Sequence, residues 1–225
     1  MARKGLLVAV LLTAFAAGAF ARPQFGINAG GGIMFDYANL GYVRTRVSDP
    51  AQTAPVTSSI SVEQVGFGAW GFLDATFAEL SVGVMGGPVD WYRDGDEEAT
   101  EHGSFAALDF SLLGRFPIAV AGGSVSVFPL LGIGYSVVLV SREEFAGDYP
   151  GTPSHLNSFR LQFGAGGDFN ISERAFVRTS VLGTWRFAGR YLNDLARELR
   201  NEPNTEATTR GDVGVTVKVG VGLRL

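Results

Sequence analysis

The chain has 225 residues, a length typical of one domain of moderate size. Its 31 glycines, 12% aromatic residues and only 18% charged residues exclude a disordered protein, which needs high charge and few aromatics. The formal net charge of −4, without basic blocks, argues against a nucleic-acid partner, and the absence of cysteine excludes disulfides, thiolate metal sites and a cysteine nucleophile.

The N-terminal segment predicts a secretory signal peptide. Two basic residues precede an apolar run over residues 6–21, which ends in the small-x-small motif AFA that signal peptidase reads. The run is shorter than the roughly 20 residues that a membrane-spanning helix needs. We therefore expect residues 1–21 to be cleaved and residues 22–225 to form one exported domain.

Alternation of apolar with polar or small residues recurs eight times along the rest of the chain. A period of two predicts strands whose two faces meet different surroundings. The eight segments cover residues 25–36, 64–73, 78–85, 106–116, 126–137, 160–169, 177–187 and 212–225.

Short and long connections alternate between these segments. The tight connections lie around residues 74–76, 117–124 and 170–174, and the long polar ones cover roughly residues 38–61, 87–104, 141–158 and 188–211. Tight turns at one end and long loops at the other are typical of a membrane barrel. The sequence therefore predicts an all-β fold, an eight-stranded antiparallel up-and-down transmembrane β-barrel. A soluble barrel of lipocalin type is the competing interpretation, but its polar positions would face water, and here they are mainly glycine.

With the apolar face toward lipid, the alternate residues line the interior. An eight-stranded barrel is just wide enough for side chains to fill it, and inward glycines make room for the larger ones. The predicted lumen-lining residues are Asp36, Trp70, Phe72, Glu79, Met85, Asp109, Arg115, Phe128, Arg160, Asp168, Arg178, Arg186, Asp212, Lys218 and Arg224.

Ions in so narrow a space must pair, because an unpaired charge away from water is strongly destabilised. The charges predicted near the tight turns are Glu79, Arg115, Asp168, Arg178 and Arg224. Those predicted near the long loops are Asp36, Asp109, Arg160, Arg186 and Asp212, with Lys218 between the two groups. Glu79, Asp109 and Asp168 are candidate partners of the last-strand cations. Two interpretations stay open: ion pairs that fill the barrel, or a narrow gated or selective pathway.

The loops carry few groups for chemistry. His102 and His155 lie in predicted loops, and Ser154 would point away from its neighbour His155 on an extended chain, so we predict no catalytic site and no enzyme. The acidic loop DWYRDGDEEATEH lacks the glycine spacing of an EF-hand, so we predict neither a metal nor another cofactor. Three leucines of YLNDLARELRN have helical spacing and predict a short helix that packs on its own loop, caps the barrel, or contacts headgroups or a partner.

Three segments carry a family resemblance: WGFLDATFAELSVGV, GAGGDFNISERAFVR and the final DVGVTVKVGVGLRL. With them the chain resembles the small eight-stranded outer-membrane barrels of diderm bacteria, which include OmpW-like proteins, OmpX-like proteins and the membrane domain of OmpA. The last strand resembles their assembly signal at Val221, Leu223 and Leu225, but ends in leucine where an aromatic residue is usual. The resemblance implies a place in the bacterial outer membrane, in contact with its lipid and with the barrel-assembly machinery.

The OmpW resemblance implies a narrow channel for passive uptake or efflux of small or hydrophobic solutes, in which the lumen-lining residues set passage. The alternative is a closed structural or adhesin barrel that presents its loops to host or envelope partners. The expected partners are thus the membrane lipid, the assembly machinery, and a small apolar solute or a host surface ligand.

Overall fold

The computed structural model describes residues 26–47, 56–93, 101–141, 157–187, 190–211 and 213–225. The strands are β1 (Ile27–Val47), β2 (Val56–Ala75), β3 (Ala78–Arg93), β4 (Glu101–Arg115), β5 (Ile118–Val120), β6 (Val125–Ser141), β7 (Ser158–Asn170), β8 (Ala175–Arg186), β9 (Thr205–Arg210) and β10 (Val213–Arg224). The helix α1 covers Arg190–Arg200, and a 3-10 turn covers Ala121–Gly123. The predicted signal peptide lies outside the described residues. In the described part of the chain, no helix is long and apolar enough to cross a membrane.

Eight of these strands close into a barrel. They pair antiparallel in the order β1, β2, β3, β4, β6, β7, β8 and β10, and β10 pairs back onto β1. The closing seam runs from Asn28 opposite Arg224 to Ala38 opposite Gly214. The predicted antiparallel up-and-down barrel is therefore confirmed. Within the described residues, β5 and β9 stand outside this circuit and pair with β6 and β1 respectively.

The barrel wall continues well beyond the predicted strand ends at the loop side. β1 and β2 stay paired up to Val47 opposite Val56, so the loop predicted over residues 38–61 is wrong for most of its length. β9 pairs with the same outer part of β1, and β3 and β4 stay paired up to Trp91 opposite Glu101. The physical reason is a change of surroundings: beyond the lipid-facing band, apolar residues point inward and the outward positions are polar.

A β-bulge marks this change on β1. The register shifts between Asn39 and Gly41, and Gly41 adopts φ 123°, a conformation that glycine tolerates best. Before the bulge the inward residue is Ala38, at an even position, and after it the inward residue is Val43, at an odd position. The alternation in sequence is therefore interrupted although the strand continues.

The barrel is apolar outside and polar inside. Ile33, Leu131 and Phe67 expose 70%, 69% and 67% of their surfaces on the outer wall, whereas Arg160 and Arg178 are among the most deeply buried side chains. An apolar exterior of this extent is costly in water and is the arrangement expected of a barrel surrounded by lipid.

Aromatic side chains lie at both ends of this apolar exterior. Phe77 and Phe116 pack 6.2 Å apart at the turn end, and Trp185 stacks on Phe187 at 6.4 Å toward the loop end. Aromatic girdles at the two lipid–water interfaces are typical of such barrels.

Candidate functional site in the barrel interior

Thirteen of the predicted lumen-lining side chains lie inside the barrel, each with 6% or less of its surface exposed. They are Asp36, Trp70, Phe72, Glu79, Met85, Asp109, Arg115, Phe128, Arg160, Asp168, Arg178, Arg186 and Lys218. Arg224 instead lies exposed at the rim, because it is the last residue of β10. There its guanidinium donates to the Glu173 carbonyl at 2.9 Å and contacts the Asn170 side chain. Asp212 lies outside the described residues.

A cluster of five charged side chains closes the turn end of the interior. We call Asp74, Glu79, Arg115, Asp168 and Arg178 the turn-end cluster. Arg178 donates from Nε and Nη2 to the two carboxylate oxygens of Asp168 at 2.7 and 2.8 Å. Its Nη1 donates to Asp74 at 2.6 Å and to Glu79 at 2.9 Å. Arg115 joins Asp74 to Asp168 at 2.6 and 2.9 Å. The five residues come from five different strands, so the cluster crosses the lumen.

Phenylalanine rings enclose the turn-end cluster. The Arg178 guanidinium lies 4.1 Å from the centre of the Phe72 ring and 5.0 Å from that of Phe176, and the Arg115 guanidinium lies 4.1 Å from that of Phe128. Cation–π contact stabilises the guanidinium groups where water is excluded, and the rings fill the space around the ion pairs.

Asp74 is the member of this cluster that the sequence prediction missed. The inward positions of β2 run through Gln64 and Trp70 to Phe72, and the same alternation leads to Asp74. Its Asp-Ala-Thr context favoured a turn, which begins only at Thr76. With Asp74 included and Arg224 outside, the described interior carries equal numbers of acids and bases. They are Asp36, Asp74, Glu79, Asp109 and Asp168 against Arg115, Arg160, Arg178, Arg186 and Lys218.

Lys218 lies between the turn-end cluster and the charges nearer the loops. Its Nζ donates to Ser81 Oγ at 3.1 Å and lies 5.1 Å from the centre of the Trp70 ring. Among the described residues it forms no ion pair, because the carboxylates expected as its partners are engaged by arginines. None of the candidate partners Glu79, Asp109 and Asp168 forms an ion pair with Lys218 in the described structure.

A second group of polar side chains, the loop-end cluster, is built around two ion pairs. It comprises Asp36, Gln64, Asp109, Ser136, Arg160, Thr184, Arg186 and Thr216. Arg160 pairs with Asp109, and its Nη1 donates to Ser136 at 2.5 Å. Arg186 Nη2 donates to Asp36 at 2.6 Å. Asp36 also accepts hydrogen bonds from Thr216 at 2.6 Å and from Gln64 at 3.1 Å.

Apolar side chains replace polar ones directly beyond the loop-end cluster. On β1 the next inward residue after Asp36 is Ala38, on β2 Val62 follows Gln64, and on β6 Val138 follows Ser136. We call the buried apolar interior at this end the mouth. It consists of Ala38, Val43, Val62, Val89, Phe105 and Val138.

The helix α1 and strand β9 pack on the mouth. Ala196 of α1 and Ala207 of β9 are buried against it, and Leu199 of α1 is partly buried there. Thr209 Oγ1 donates to Asn193 Oδ1 at 2.8 Å and so links β9 to α1. The helix predicted from the leucine spacing is confirmed, although the side chains of Leu192 and Leu195 lie outside the description.

Inward glycines make room for the interior side chains, as predicted. A Cβ atom at Gly222 would lie 2.3 Å from the Phe176 ring, and one at Gly134 would lie 2.6 Å from Arg160 Nε. At Gly132 the obstacle is instead the neighbouring strand, since a Cβ would lie 2.1 Å from the carbonyl oxygen of Leu112. Glycine therefore leaves space for large interior side chains and also allows neighbouring strands to approach closely.

The remaining chemical candidates lie on the outer wall or outside the description. His102 Nδ1 lies 2.8 Å from an Asp90 carboxylate oxygen on the exposed surface of β3 and β4. Ser154 and His155 lie outside the described residues. Across the described ranges, no group of three or more His, Asp or Glu side chains is placed to hold a metal ion.

The comparison with solved structures returns outer-membrane barrels. OprG from Pseudomonas aeruginosa is 14% identical, with a TM-score of 0.51 over 91% of this chain and 97% of OprG. The attachment invasion locus protein Ail of Yersinia pestis, in complex with the heparin analogue sucrose octasulfate, is 15% identical, with a TM-score of 0.35 over 88% of this chain and 99% of Ail. At this identity, the likeness to OprG concerns the fold alone.

Comparison of sequences gives the family. No curated protein matches this chain. The family model described as outer membrane protein beta-barrel domain matches residues 7–224, which is nearly the whole chain. Together with the closed sheet, the apolar exterior and the charged interior, this match shows that the chain belongs to the outer membrane protein β-barrel domain family and resides in the bacterial outer membrane.

Proposed function

We propose that this barrel is a non-enzymatic, gated passage for small apolar solutes, with its loop end facing the cell exterior. The observation that supports the proposal most is the mouth: an apolar interior directly beyond the loop-end cluster, with α1 packed against it. An apolar solute is stabilised in the mouth, because transfer of apolar surface from water is favourable. Ions and sugars gain no such stabilisation there.

The turn-end cluster gives the proposed passage its selectivity. Each of its carboxylates is held by arginine at 2.6–2.9 Å, and removing one partner of a buried ion pair is strongly unfavourable. The resting barrel therefore excludes free inorganic ions, and the expected solute is apolar over most of its surface.

The proposed gate is α1. It has 11 residues, and a helix of this length is marginally stable without its packing partners. It lies against the mouth through Ala196 and Leu199 and is linked to β9 by the hydrogen bond from Thr209 to Asn193. Movement of α1 away from the wall uncovers the mouth without disturbing the eight strands of the circuit.

A reversible disulfide tests this gate. The chain contains no cysteine, so Asn193→Cys with Thr209→Cys introduces one defined pair. Cells that carry the wild-type barrel should take up the apolar dye N-phenyl-1-naphthylamine faster than cells without it. In the double variant, oxidation should reduce uptake to the level of empty cells, and a reductant should restore it. Each single cysteine variant is the matched control and should respond to neither treatment.

A closed barrel that presents its loops to host or envelope partners is the second candidate function. It is favoured by the turn-end cluster, which ties five strands together across the lumen. Folded, surface-located wild-type barrel that fails to increase dye uptake would contradict the passage and support this second function. Loss of cell adhesion after protease trimming of the loops would then identify the loops as the binding surface.

We also propose how the chain reaches the membrane. Removal of residues 1–21 would release the exported domain. Val221, Leu223 and Leu225 expose 53%, 53% and 78% of their surfaces on the outer wall of the last strand, which makes them accessible to the barrel-assembly machinery. Their replacement by serine should reduce the amount of folded barrel in the outer membrane.

A further inference from the structure

Two arginines of the loop-end cluster face each other but differ in how they are bonded. Arg160 on β7 lies directly opposite Arg186 on β8. Arg160 donates from Nη1 to Ser136, from Nη2 to Ser111 at 3.2 Å, and pairs with Asp109. Its Nε has the Gln162 amide oxygen at 3.1 Å, in the amide orientation that satisfies both groups. Arg160 is therefore fully engaged.

Arg186 is only partly engaged. Its Nη2 holds Asp36, but its Nε and Nη1 have no acceptor among the described residues, and its side chain is 0% exposed. A buried cationic donor without an acceptor is strongly unfavourable, so the site has capacity for one more acceptor. Thr184, the next inward residue on β8, also has its hydroxyl buried and without a partner in the described structure.

Asp36 does not depend on Arg186 alone. Thr216 donates to its Oδ1 and Gln64 donates to its Oδ2. A carboxylate with three donors remains satisfied when one of them is shared with a second anion. Arg186 can therefore contact an incoming acceptor while it keeps Asp36 in place.

The position of Arg186 matches a ligand with two chemically different ends. Asp36, the residue that holds its guanidinium, is followed on the same inward face of β1 by Ala38 and then by the other apolar residues of the mouth. A polar head at the guanidinium would thus be adjacent to an apolar body in the mouth. An anionic head is favoured over a neutral one, because an ion pair adds Coulomb attraction to the hydrogen bond that the guanidinium would also donate to a neutral oxygen.

We propose that Arg186, assisted by Thr184, binds the carboxylate of a short amphiphilic solute whose apolar part occupies the mouth. This site rests on the proposed passage and specifies its substrate class, a monocarboxylate with a short hydrocarbon body. No bond is made or broken, and the solute is held by hydrogen bonds and apolar contact alone.

Binding of a matched pair of probes tests the site. Hexanoate and hexanol have the same hydrocarbon length and differ in the head. Trp91 belongs to the same buried apolar cluster as the mouth residues. It reports the binding of both probes by fluorescence in a Trp70→Phe, Trp185→Phe background, in which it is the one remaining tryptophan of the chain. We expect hexanoate to bind at least roughly tenfold more tightly than hexanol, which corresponds to about one charge-assisted hydrogen bond.

Paired substitutions keep the folded barrel comparable. Arg186→Gln with Asp36→Asn removes both charges of one ion pair, and Arg160→Gln with Asp109→Asn removes both charges of the other. The first double variant should lose the preference for hexanoate, and the second should keep a preference of several fold.

The outcomes separate this inference from the proposed passage. Equal affinity for both probes in the wild-type barrel, or a preference that survives in the Arg186–Asp36 double variant, would overturn the carboxylate site. If the carboxylate site is overturned in this way but dye uptake still responds to the α1 disulfide, the proposed passage remains supported. Absence of both dye uptake and probe binding would contradict the passage itself.

Discussion

Among the five charged residues of the turn-end cluster, Arg178 makes the most hydrogen bonds. It contacts three carboxylates and lies between phenylalanine rings. Its planar group satisfies Asp168 with two parallel bonds, a geometry that lysine cannot reproduce.

Replacement of Arg178 by methionine should therefore destabilise the barrel. The change leaves the buried Glu79 with no arginine partner among the described residues and leaves Asp74 and Asp168 with Arg115 alone. This should reduce the free energy of unfolding by about 3–5 kcal/mol. Urea unfolding in detergent micelles, followed by tryptophan fluorescence, measures the loss. Arg197→Met is the control, since the Arg197–Asp194 pair on α1 is exposed and such pairs contribute less than about 1 kcal/mol. Equal stability of the two variants would contradict a structural role for the cluster.

Glycine at position 222 is a second residue-level determinant. An alanine methyl group there would lie 2.3 Å from the Phe176 ring, which packs near Arg178 and Phe72. Overpacking of this kind should lower the free energy of unfolding of Gly222→Ala by about 1–3 kcal/mol. At Gly71 the nearest atom to a new Cβ is 3.6 Å away, so Gly71→Ala should be unchanged or up to about 1 kcal/mol more stable. A Gly222→Ala barrel as stable as wild type would show that the ring can move aside.

Sequence alternation predicted which face of a strand each residue occupies, but not its partner across the lumen. Asp74 and Arg224 show what alternation does not predict. Both occupy positions that alternation assigns to the inner face, yet Asp74 is buried and Arg224 lies exposed at the rim. Height in the barrel depends on the stagger of neighbouring strands, which no single strand encodes. For the same reason the contact of Lys218 with Ser81 was not predictable.

At the scale of elements, the lipid-facing part of each strand was predictable and its outer continuation was not. In lipid, apolar residues point outward, and beyond it they point inward around the mouth. The bulge at Asn39–Gly41 moves the inward residues of β1 from even to odd positions. The sequence of one continuous strand therefore has the pattern of a strand followed by a loop. Strand β9 has mostly polar residues and is specified by pairing with β1.

The packing of β9 and α1 on the mouth predicts a selective effect of charge at position 207. Ala207→Asp places a carboxylate among buried apolar side chains, which should detach α1 and β9 while the barrel stays closed. Limited trypsin digestion should then cleave after Arg197 and Arg200 several times faster than in wild type. Thr208→Asp, on the exposed side of the same strand, is the control and should be cut at the wild-type rate. Resistance of both variants to trypsin would mean that packing on the mouth is not what keeps α1 in place.

At the scale of the whole molecule, the protection of a strand's amide hydrogens against exchange should increase with the number of strands that pair with it. β10 pairs with β8 on one side and β1 on the other, whereas β9 pairs, within the described ranges, with β1 alone. Amide hydrogens over residues 213–221 should exchange at least tenfold more slowly than those over residues 205–210, because local opening frees the latter first. Hydrogen–deuterium exchange with mass spectrometry in micelles measures both segments. Uniform protection would indicate that β9 belongs to the rigid wall.

The length of β1 determines from which phase the mouth is reached. Its 21 residues extend over roughly 70 Å at about 3.3 Å per residue, and a tilt of about 40° gives a height of about 50 Å. The apolar band of such a barrel is only about 25 Å tall, so the wall projects into water by a comparable distance. Molecules that dissolve well in the bilayer stay in the acyl chains below this opening. A solute of the proposed passage would therefore enter from water, and solutes with modest water solubility and weak membrane partitioning would benefit most from it.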